Sequence, residues 1–175
     1  MCAYRNTKAS KIIALLTAFT VLICLSLYMP VAVYAAEYTT QKCSVVRVVD
    51  GDTIIVKYNG ENTRTRLIGV DTPESVNPDA SRNCKEGKIA SKYTKKRLTG
   101  KTVKIVPGKD PTDKYGRMLA YVYIGKEFYN YKLLKIGYAR MMTIAPNTQY
   151  VSMFKKAQSY AKKHNRGFWK TGYYK

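Results

Sequence analysis

From Cys43 onward, apolar and polar positions alternate with a period of two. Val46 and Val48, then Ile54, Val56 and Tyr58, recur at every second position, the spacing of half-buried strands. Asp50-Gly51-Asp52 joins these two runs, and Asn59-Gly60 is the next reversal signal. Thr63 to Val70 reads as a third strand returning alongside, so the three make a meander. A polar stretch from Thr72 to Asn83, punctuated by Pro73 and Pro78, reads as a surface loop. The period then changes. Lys85 to Leu98 carries Ile89, Tyr93 and Arg97 at helical i, i+4 spacing, and Gly100 stops it. Lys101 to Val106 and Met118 to Ile124 predict two further strands. Glu127 to Ile136 places Phe128, Tyr131, Leu133 and Leu134 on a helical stripe that ends at Gly137. A last helix near Gln149 to His164 is basic and amphipathic, with Met153, Ala157 and Tyr160 on one side. No repeat, low-complexity tract or interdomain linker interrupts this order. Five strands with intervening helices predict an α+β β-barrel of the OB-fold kind, five-stranded and capped by about three helices.

The N-terminus follows a different rule. Arg5, Lys8 and Lys11 precede an uncharged run from Ile12 to Ala36 that closes on small residues around Val33-Tyr34-Ala35. This is the layout of a secretory signal cut after Ala35 or Ala36, which divides the chain into a leader over 1–35 and a domain over 36–175. The apolar run is also long enough to span a bilayer, so an uncleaved anchor is the alternative. Both readings place the domain outside the cell or at its surface. Ile23 is too bulky for the position before a lipidated cysteine, which discounts Cys24 as a lipoprotein site. Cys2 and Cys24 leave with the leader. Cys43 and Cys84 remain, and in an exported chain they allow a single disulfide. Two cysteines and one distant histidine, His164, do not make a zinc site.

The chain carries 31 Lys and Arg against 11 Asp and Glu, a net charge of +20, while 46% hydrophobic residues argue for a packed core rather than disorder. Such a balance points to a polyanionic partner: nucleic acid, an anionic membrane surface or a phosphate-rich wall polymer. Against so basic a background, the placement of the few carboxylates is informative. Asp52 begins a strand just past the Asp-Gly turn. Asp71 and Glu74 stand at a strand end in Val70-Asp71-Thr72-Pro73-Glu74, where Pro73 keeps Thr72 extended. Three carboxylates at the ends of neighbouring strands can converge on one point, and an oxygen-only donor set suits a hard cation such as Ca²⁺. Read as turn chemistry alone, Asp50 and Asp52 form the turn and Asp71 caps a loop. Arg66 lies on the strand leading to Asp71, where alternation sets it with Ile68 on the face opposite Leu67. Arg117 follows Thr112-Asp113-Lys114-Tyr115-Gly116. The planar fork of arginine binds phosphate oxygens bidentately, and two such groups stabilise charge that builds on a phosphoryl centre. In so basic a chain the simpler reading of each is a solvated surface arginine.

Taken together, these segments resemble the staphylococcal (micrococcal) nuclease, or thermonuclease, family over roughly Val45 to Trp169. Val49-Asp50-Gly51-Asp52-Thr53 is similar to that family's first turn, and Arg66 to Glu74 to its signature segment. Thr112 to Arg117 followed by Leu119-Ala120-Tyr121 is similar to its third motif, and Asn165-Arg166-Gly167-Phe168-Trp169 to its closing one. The resemblance implies an OB-fold barrel and a Ca²⁺-dependent phosphodiesterase acting on DNA and RNA, leaving 3′-phosphate ends. It assigns Asp52 and Asp71 to Ca²⁺ through their carboxylates and Thr72 through its backbone carbonyl. Glu74 becomes the general base for the attacking water, Arg66 and Arg117 hold the scissile phosphate, and Lys114 and Tyr115 contact the terminal phosphate side of the nucleotide. No obligate protein partner is implied, and a monomer is expected. One departure stands out: the two tyrosines of the family's nucleotide pocket are missing from Ala139 to Pro146, a segment about one residue shorter. Met141 or Met142 would supply apolar contact in their place, with weaker stacking on the base, and Tyr150 is a nearby aromatic. Two other classes compete with the nuclease: a catalytically silent OB module that binds nucleic acid, and a cationic envelope protein that adheres to wall polymer. The joint presence of Asp52, Asp71, Glu74, Arg66 and Arg117 disfavours both.

Overall fold

A computed structural model of the chain describes residues 38–175, and the leader expected over 1–35 lies outside the described residues. The first strand, β1 (Gln41–Asp50), reverses at Gly51-Asp52 into β2 (Thr53–Tyr58), which turns back at Asn59-Gly60 into β3 (Glu61–Leu67). Asn59 and Gly60 both adopt positive φ, 48° and 84°, which matches a tight hairpin turn to the twist of the strands. After a two-residue strand β4 (Val70–Asp71) and a loop comes helix α1 (Lys85–Leu98). The chain continues through β5 (Thr102–Thr112), β6 (Met118–Ile124), β7 (Glu127–Phe128) and α2 (Tyr129–Lys135). A short β8 (Arg140–Met141) and a third helix, α3 (Val151–Lys163), complete the order.

The main sheet runs β3-β2-β1-β5-β6-β7 and closes on itself, because β3 also pairs with β6. That closing pair is parallel: Thr65 faces Met118, Arg66 faces Leu119 and Leu67 faces Ala120. The result is the five-stranded OB barrel with three helices that the alternation predicts. Val45, Ile54, Val56, Leu67, Ile105 and Met118 are fully buried within it. Each such side chain contributes about 1.5–3 kcal/mol relative to exposure, so the barrel is a rigid frame for its rim.

Some boundaries differ from the sequence expectation, each for a local reason. β5 continues past Val106 to Thr112 because the pairing with β6 slips between Pro107 and Thr112; proline has no N–H to give a regular ladder, and a bulge accommodates it. The helix expected from Glu127 starts at Tyr129, since Phe128 and Glu127 pair with Tyr123 and Ile124. The last helix begins at Val151, two residues later than its polar lead-in suggests.

The expected Cys43–Cys84 disulfide is corrected, since both thiols are free. Cys43 sits opposite Val103 in the buried core, whereas Cys84 caps the N-terminus of α1, its sulfur accepting from Gly87 N–H at 3.4 Å. Burial raises the Cys43 pKa above its ordinary value. The two thiols serve different layers of the fold.

Candidate active site

β2 and β3 pair so that Thr53 faces Arg66, and Leu67 N–H donates to the Asp52 carbonyl at 2.9 Å. This brings the end of the first turn against the Arg66 side chain. Asp52 is buried. Its Oδ2 accepts from the Thr72 N–H at 2.8 Å and the Thr72 hydroxyl at 2.9 Å, and Oδ1 accepts from the Thr53 hydroxyl at 3.1 Å. The same carboxylate makes an ion pair with Arg66 Nη1. Asp71 Oδ1 accepts from Arg66 Nη2 at 3.2 Å, and its Oδ2 takes Arg140 Nε at 2.9 Å. Two carboxylates therefore close on one guanidinium, and Thr72 fixes the spacing between them.

Arg66 is 8% exposed, so the reading as a solvated surface arginine is corrected. Strand alternation does turn it away from Leu67 and the core, but Asp52 and Asp71 cover it there. Desolvation pulls its pKa below the usual arginine value. Asp71 pushes it back up, the neighbouring Arg117 cation lowers it again and Glu74 raises it. A guanidinium keeps its proton under these conditions and stays a buried cation.

The loop after Thr72 is held from both sides. Asp50 Oδ1 accepts from Gly51 N–H at 2.7 Å and the Ser75 hydroxyl at 2.6 Å, and Asp50 Oδ2 takes the Ser75 N–H at 3.1 Å. Cys84 N–H donates to the Glu74 carbonyl at 3.1 Å. Gly51 allows the approach: a Cβ there would lie 2.7 Å from Thr72 Oγ1 and 2.9 Å from Ala90 Cβ. From below, the Thr94 hydroxyl on α1 donates to the Gly51 carbonyl at 2.8 Å. Glu74, so placed, borders a cleft of about 580 Å³ shared with Asp52, Arg66 and Arg117. Its carboxylate makes no hydrogen bond or ion pair among the described residues, which leaves it open toward a ligand in that cleft.

Asp52 and Asp71 present oxygen alone. His164 lies at the end of α3 against Tyr160, and the Cys84 sulfur is 3.7 Å from the Tyr173 hydroxyl oxygen. Among the described residues, no three His, Cys, Asp or Glu side chains form a metal cage. Two carboxylates that both face Arg66 would offer a cation oxygen donors alone, a chemistry that suits a hard ion keeping part of its water shell better than zinc.

The parallel β3–β6 pair brings in the second arginine. Arg117 precedes Met118, the partner of Thr65, so it emerges beside Arg66 although the two are distant in sequence. Its Nε bonds Asp113 Oδ2 at 2.7 Å while its N–H donates to Asp113 Oδ1 at 3.0 Å. The guanidinium carbon stands 5.4 Å from the ring centre of Tyr115, and Lys114 Nζ approaches the same ring at 5.1 Å. Tyr115 is 71% exposed. Beyond it opens a second cleft of about 370 Å³, walled by Leu67, Ile68, Leu119, Met142 and Ile144. Arg66, Arg117, Tyr115 and Met142 line both clefts, so a pair of cations divides a chamber of mixed charge, where Asp50, Asp52 and Glu74 stand beside Arg64 and Arg82, from an apolar one. A phosphodiester held between them would place its phosphate on the arginines and a base in the apolar chamber.

Of the segment that lacks the family's pocket tyrosines, Met142 and Ile144 line the apolar cleft. Met141 instead pairs with Val70, and its N–H donates to Gln158 Oε1 at 2.7 Å. Tyr150 borders neither cleft, because its ring packs edge-on against Tyr121 and Phe128, with centres 4.7 and 5.0 Å apart.

Four residues at the site were not singled out by sequence reasoning. Asp50 reads as a turn former, although an aspartate on each side of one glycine is a signal that both have work beyond the turn. Arg140 and Tyr174 reach Asp71 through tertiary contacts only, the Tyr174 hydroxyl donating to the Asp71 carbonyl at 3.3 Å. Asn130, fully buried, accepts from Val122 N–H at 2.9 Å and donates to the Ile68 carbonyl at 2.8 Å, fixing α2 against the strand that ends at the site.

This is a closed OB barrel whose rim carries an arginine pair flanked by carboxylates. The family model described as "Staphylococcal nuclease homologue" matches residues 64–171. The chain is 47% identical over 125 residues to a thermonuclease of Staphylococcus intermedius, covering 71% of this chain and 74% of that one. It is 45% identical over 129 residues to a thermonuclease of Staphylococcus hyicus, covering 74% and 76%. Endonuclease YncB of Bacillus subtilis (strain 168) is 39% identical over 132 residues, 73% of this chain and 61% of the relative. The chain belongs to the staphylococcal nuclease family.

Proposed function

We propose that this protein is an exported, Ca²⁺-dependent nuclease that hydrolyses phosphodiester bonds of DNA and RNA with little sequence specificity. The observation that carries the reading is the pair of arginines, Arg66 and Arg117, standing between the charged cleft that holds Glu74 and an apolar one. In this reading the scissile phosphate lies across both guanidinium groups, which bind its oxygens and offset the negative charge that grows in the transition state. The open carboxylate of Glu74 takes a proton from the attacking water at one of its oxygens. Asp52 and Asp71, with the Thr72 carbonyl, would hold Ca²⁺, which when bound supplies Lewis-acid charge next to the phosphate. Lys114 and Tyr115 contact the terminal phosphate side, and the aliphatic wall of Met142 and Ile144 receives the base with little discrimination. Hydrolysis leaves 3′-phosphate ends. The basic leader with its long apolar run supports secretion or attachment at the cell surface.

Hydrolysis of DNA and RNA with Ca²⁺, with Mg²⁺ and with excess chelator tests the reading. Ca²⁺ supports cleavage, Mg²⁺ does so poorly because it resists dehydration and demands a tighter octahedron, and chelator abolishes it. Glu74→Gln lowers kcat by about 10²–10⁴-fold, the usual range for loss of a general base, while DNA binding measured in chelator persists. Equal rates for Glu74→Gln and the parent would remove the assigned base. A parent that binds DNA and never cuts it would make the chain a silent binding module.

A further inference from the structure

Beyond the catalytic clefts, a groove of about 540 Å³ runs across the helical layer. Its walls are Tyr93 of α1, Lys132 and Lys135 of α2, Tyr138, Tyr160 of α3 and Arg166, and it shares no lining residue with either catalytic cleft. The sequence around it is one-sided: from Phe128 to Lys175 there are ten lysines and arginines and no Asp or Glu. The nearest carboxylate in sequence, Glu127, is taken up at one end, where it lies 3.6 Å from Lys132 Nζ and 2.7 Å from Arg97 Nη2. Lys135 and Arg166 meet no carboxylate within ion-pair distance among the described residues.

The floor between these cations is aromatic and fixed. Tyr138 stacks on Phe168 at 5.0 Å and receives Tyr93 edge-on at 5.2 Å. Tyr160 is 37% exposed, and Lys135 Nζ stands 5.3 Å from its ring centre. Unpaired cations alternating with partly open tyrosine rings form the combination that tracks a sugar–phosphate backbone while offering faces to unpaired bases. A duplex keeps its bases stacked inside and gains nothing from the rings.

We propose that this groove is a second binding site for single-stranded nucleic acid, which holds substrate outside the catalytic cleft. The proposal rests on the nuclease reading only for the class of polymer. Lys135 and Arg166 contact phosphates and Tyr160 stacks a base, so a long strand is retained after each cut and presented again.

The test uses the full chain and a fluorescent oligothymidylate strand, with anisotropy read in chelator so that nothing is cut. Lys135→Ala/Arg166→Ala lowers the slope of log affinity against log salt by about 1.4, which is about 0.7 for each of the two single-strand phosphates no longer neutralised. Tyr160→Ala weakens binding about fivefold or more, whereas Tyr160→Phe, which keeps the ring, binds like the parent. Lys57→Ala/Lys101→Ala, two exposed lysines outside the groove, leaves the slope unchanged. With Ca²⁺ present, the groove variants raise KM on long single strands and leave kcat on a dinucleotide, which occupies only the catalytic cleft, unaltered. Equal losses from the groove pair and the control pair would overturn the proposal. So would an inert Tyr160→Ala, or groove variants that release anionic vesicles while keeping the strand. A parent that binds the strand and cuts nothing sinks the hydrolytic reading alone, and a parent that cuts normally beside unaffected groove variants sinks the groove alone.

Discussion

Removing the Asp50 carboxylate should detach the Glu74 loop while leaving every group assigned to phosphate or metal in place. Asp50 is 6% exposed and makes three hydrogen bonds, two of them to Ser75, which lies 25 residues away. The bond to Gly51 is between neighbours and persists in part in the unfolded chain, so it counts for little. Bonds to a charged acceptor contribute about 1.5–3 kcal/mol each; Ser75 is only half-buried and water can replace its partner, which favours the low end. Asp50→Ala therefore costs about 3 kcal/mol, a large share of a typical 5–15 kcal/mol. Asp50→Asn separates the contributions. Its amide oxygen can keep the two bonds now made by Oδ1, but its NH₂ faces the Ser75 N–H, and the loss falls to about 1.5 kcal/mol. Urea unfolding with linear extrapolation reads both values. At a temperature where all variants are folded, kcat on DNA drops about ten- to hundredfold for Asp50→Ala with little change in KM, because a displaced base misses its proton by a fraction of an ångström. Stability within about 0.5 kcal/mol of the parent for Asp50→Ala, or equal losses for Ala and Asn, would refute the reasoning.

Gly87→Ala ordinarily gains up to about 1 kcal/mol inside a helix. Here the new Cβ would lie 2.0 Å from the Glu74 carbonyl oxygen, so a lower melting temperature and reduced cleavage are expected, and a stabilised, fully active variant would contradict the packing. Intact-mass analysis after non-reducing alkylation should find Cys84 modified in the folded protein and Cys43 only after unfolding, in line with burial of the latter; an unalkylated pair would restore the disulfide. For Asp113, burial raises the pKa, but the bonds from the Arg117 N–H, the Arg117 side chain and the Tyr115 N–H outweigh it and leave the pKa below the ordinary carboxylate value. Its stabilisation is then fully present above about pH 4 and disappears as pH falls through the lowered folded value. Asp113→Asn should accordingly be less stable than the parent at neutral pH and converge with it in acid; a constant difference down to the acid transition would show that the carboxylate is not what stabilises the turn.

The barrel was legible because its strands are local signals. The alternation and the Asn59-Gly60 reversal define a meander without any knowledge of its neighbours, but the phase slips at the start: the register shifts between Val45 and Arg47, so Val45 is buried and Val46 is exposed. Lys85 to Leu98 carries its extent and its stop, whereas the buried face is Ala90, Thr94 and Leu98 rather than the Ile89, Tyr93 and Arg97 stripe. The closing pair β3–β6 was not legible, since nothing in Thr65-Arg66-Leu67 names Met118-Leu119-Ala120 as its partner. Burial of Arg66 was hidden for the same reason: its cover comes from Asp52 and Asp71, and composition alone argues for solvent. The cysteine pairing failed because spacing in the chain carries no information on which layer each sulfur faces. Asp71 was identified as a site residue, yet its partners Arg140 and Tyr174 stand 69 and 103 residues further on and have no motif of their own.

Electrostatics explain why so many arginines gather there. Asp50, Asp52, Asp71 and Glu74 placed together would repel a phosphodiester and one another. Arg66 cancels the nearest two, Arg140 takes the outer oxygen of Asp71, and Arg64, Arg82 and Arg117 line the same cleft as Glu74. Lysine would serve poorly at the centre, because burial lowers the pKa of an ammonium readily and its single point of charge cannot bridge two carboxylates. A guanidinium keeps its charge when buried and has donors on two sides, so Arg66 holds Asp52 and Asp71 in register before any ligand arrives. The carboxylates in turn hold Arg66 in one orientation. The surplus positive charge spread over the rest of the domain then draws a polyanion toward the few acidic groups that would otherwise turn it away.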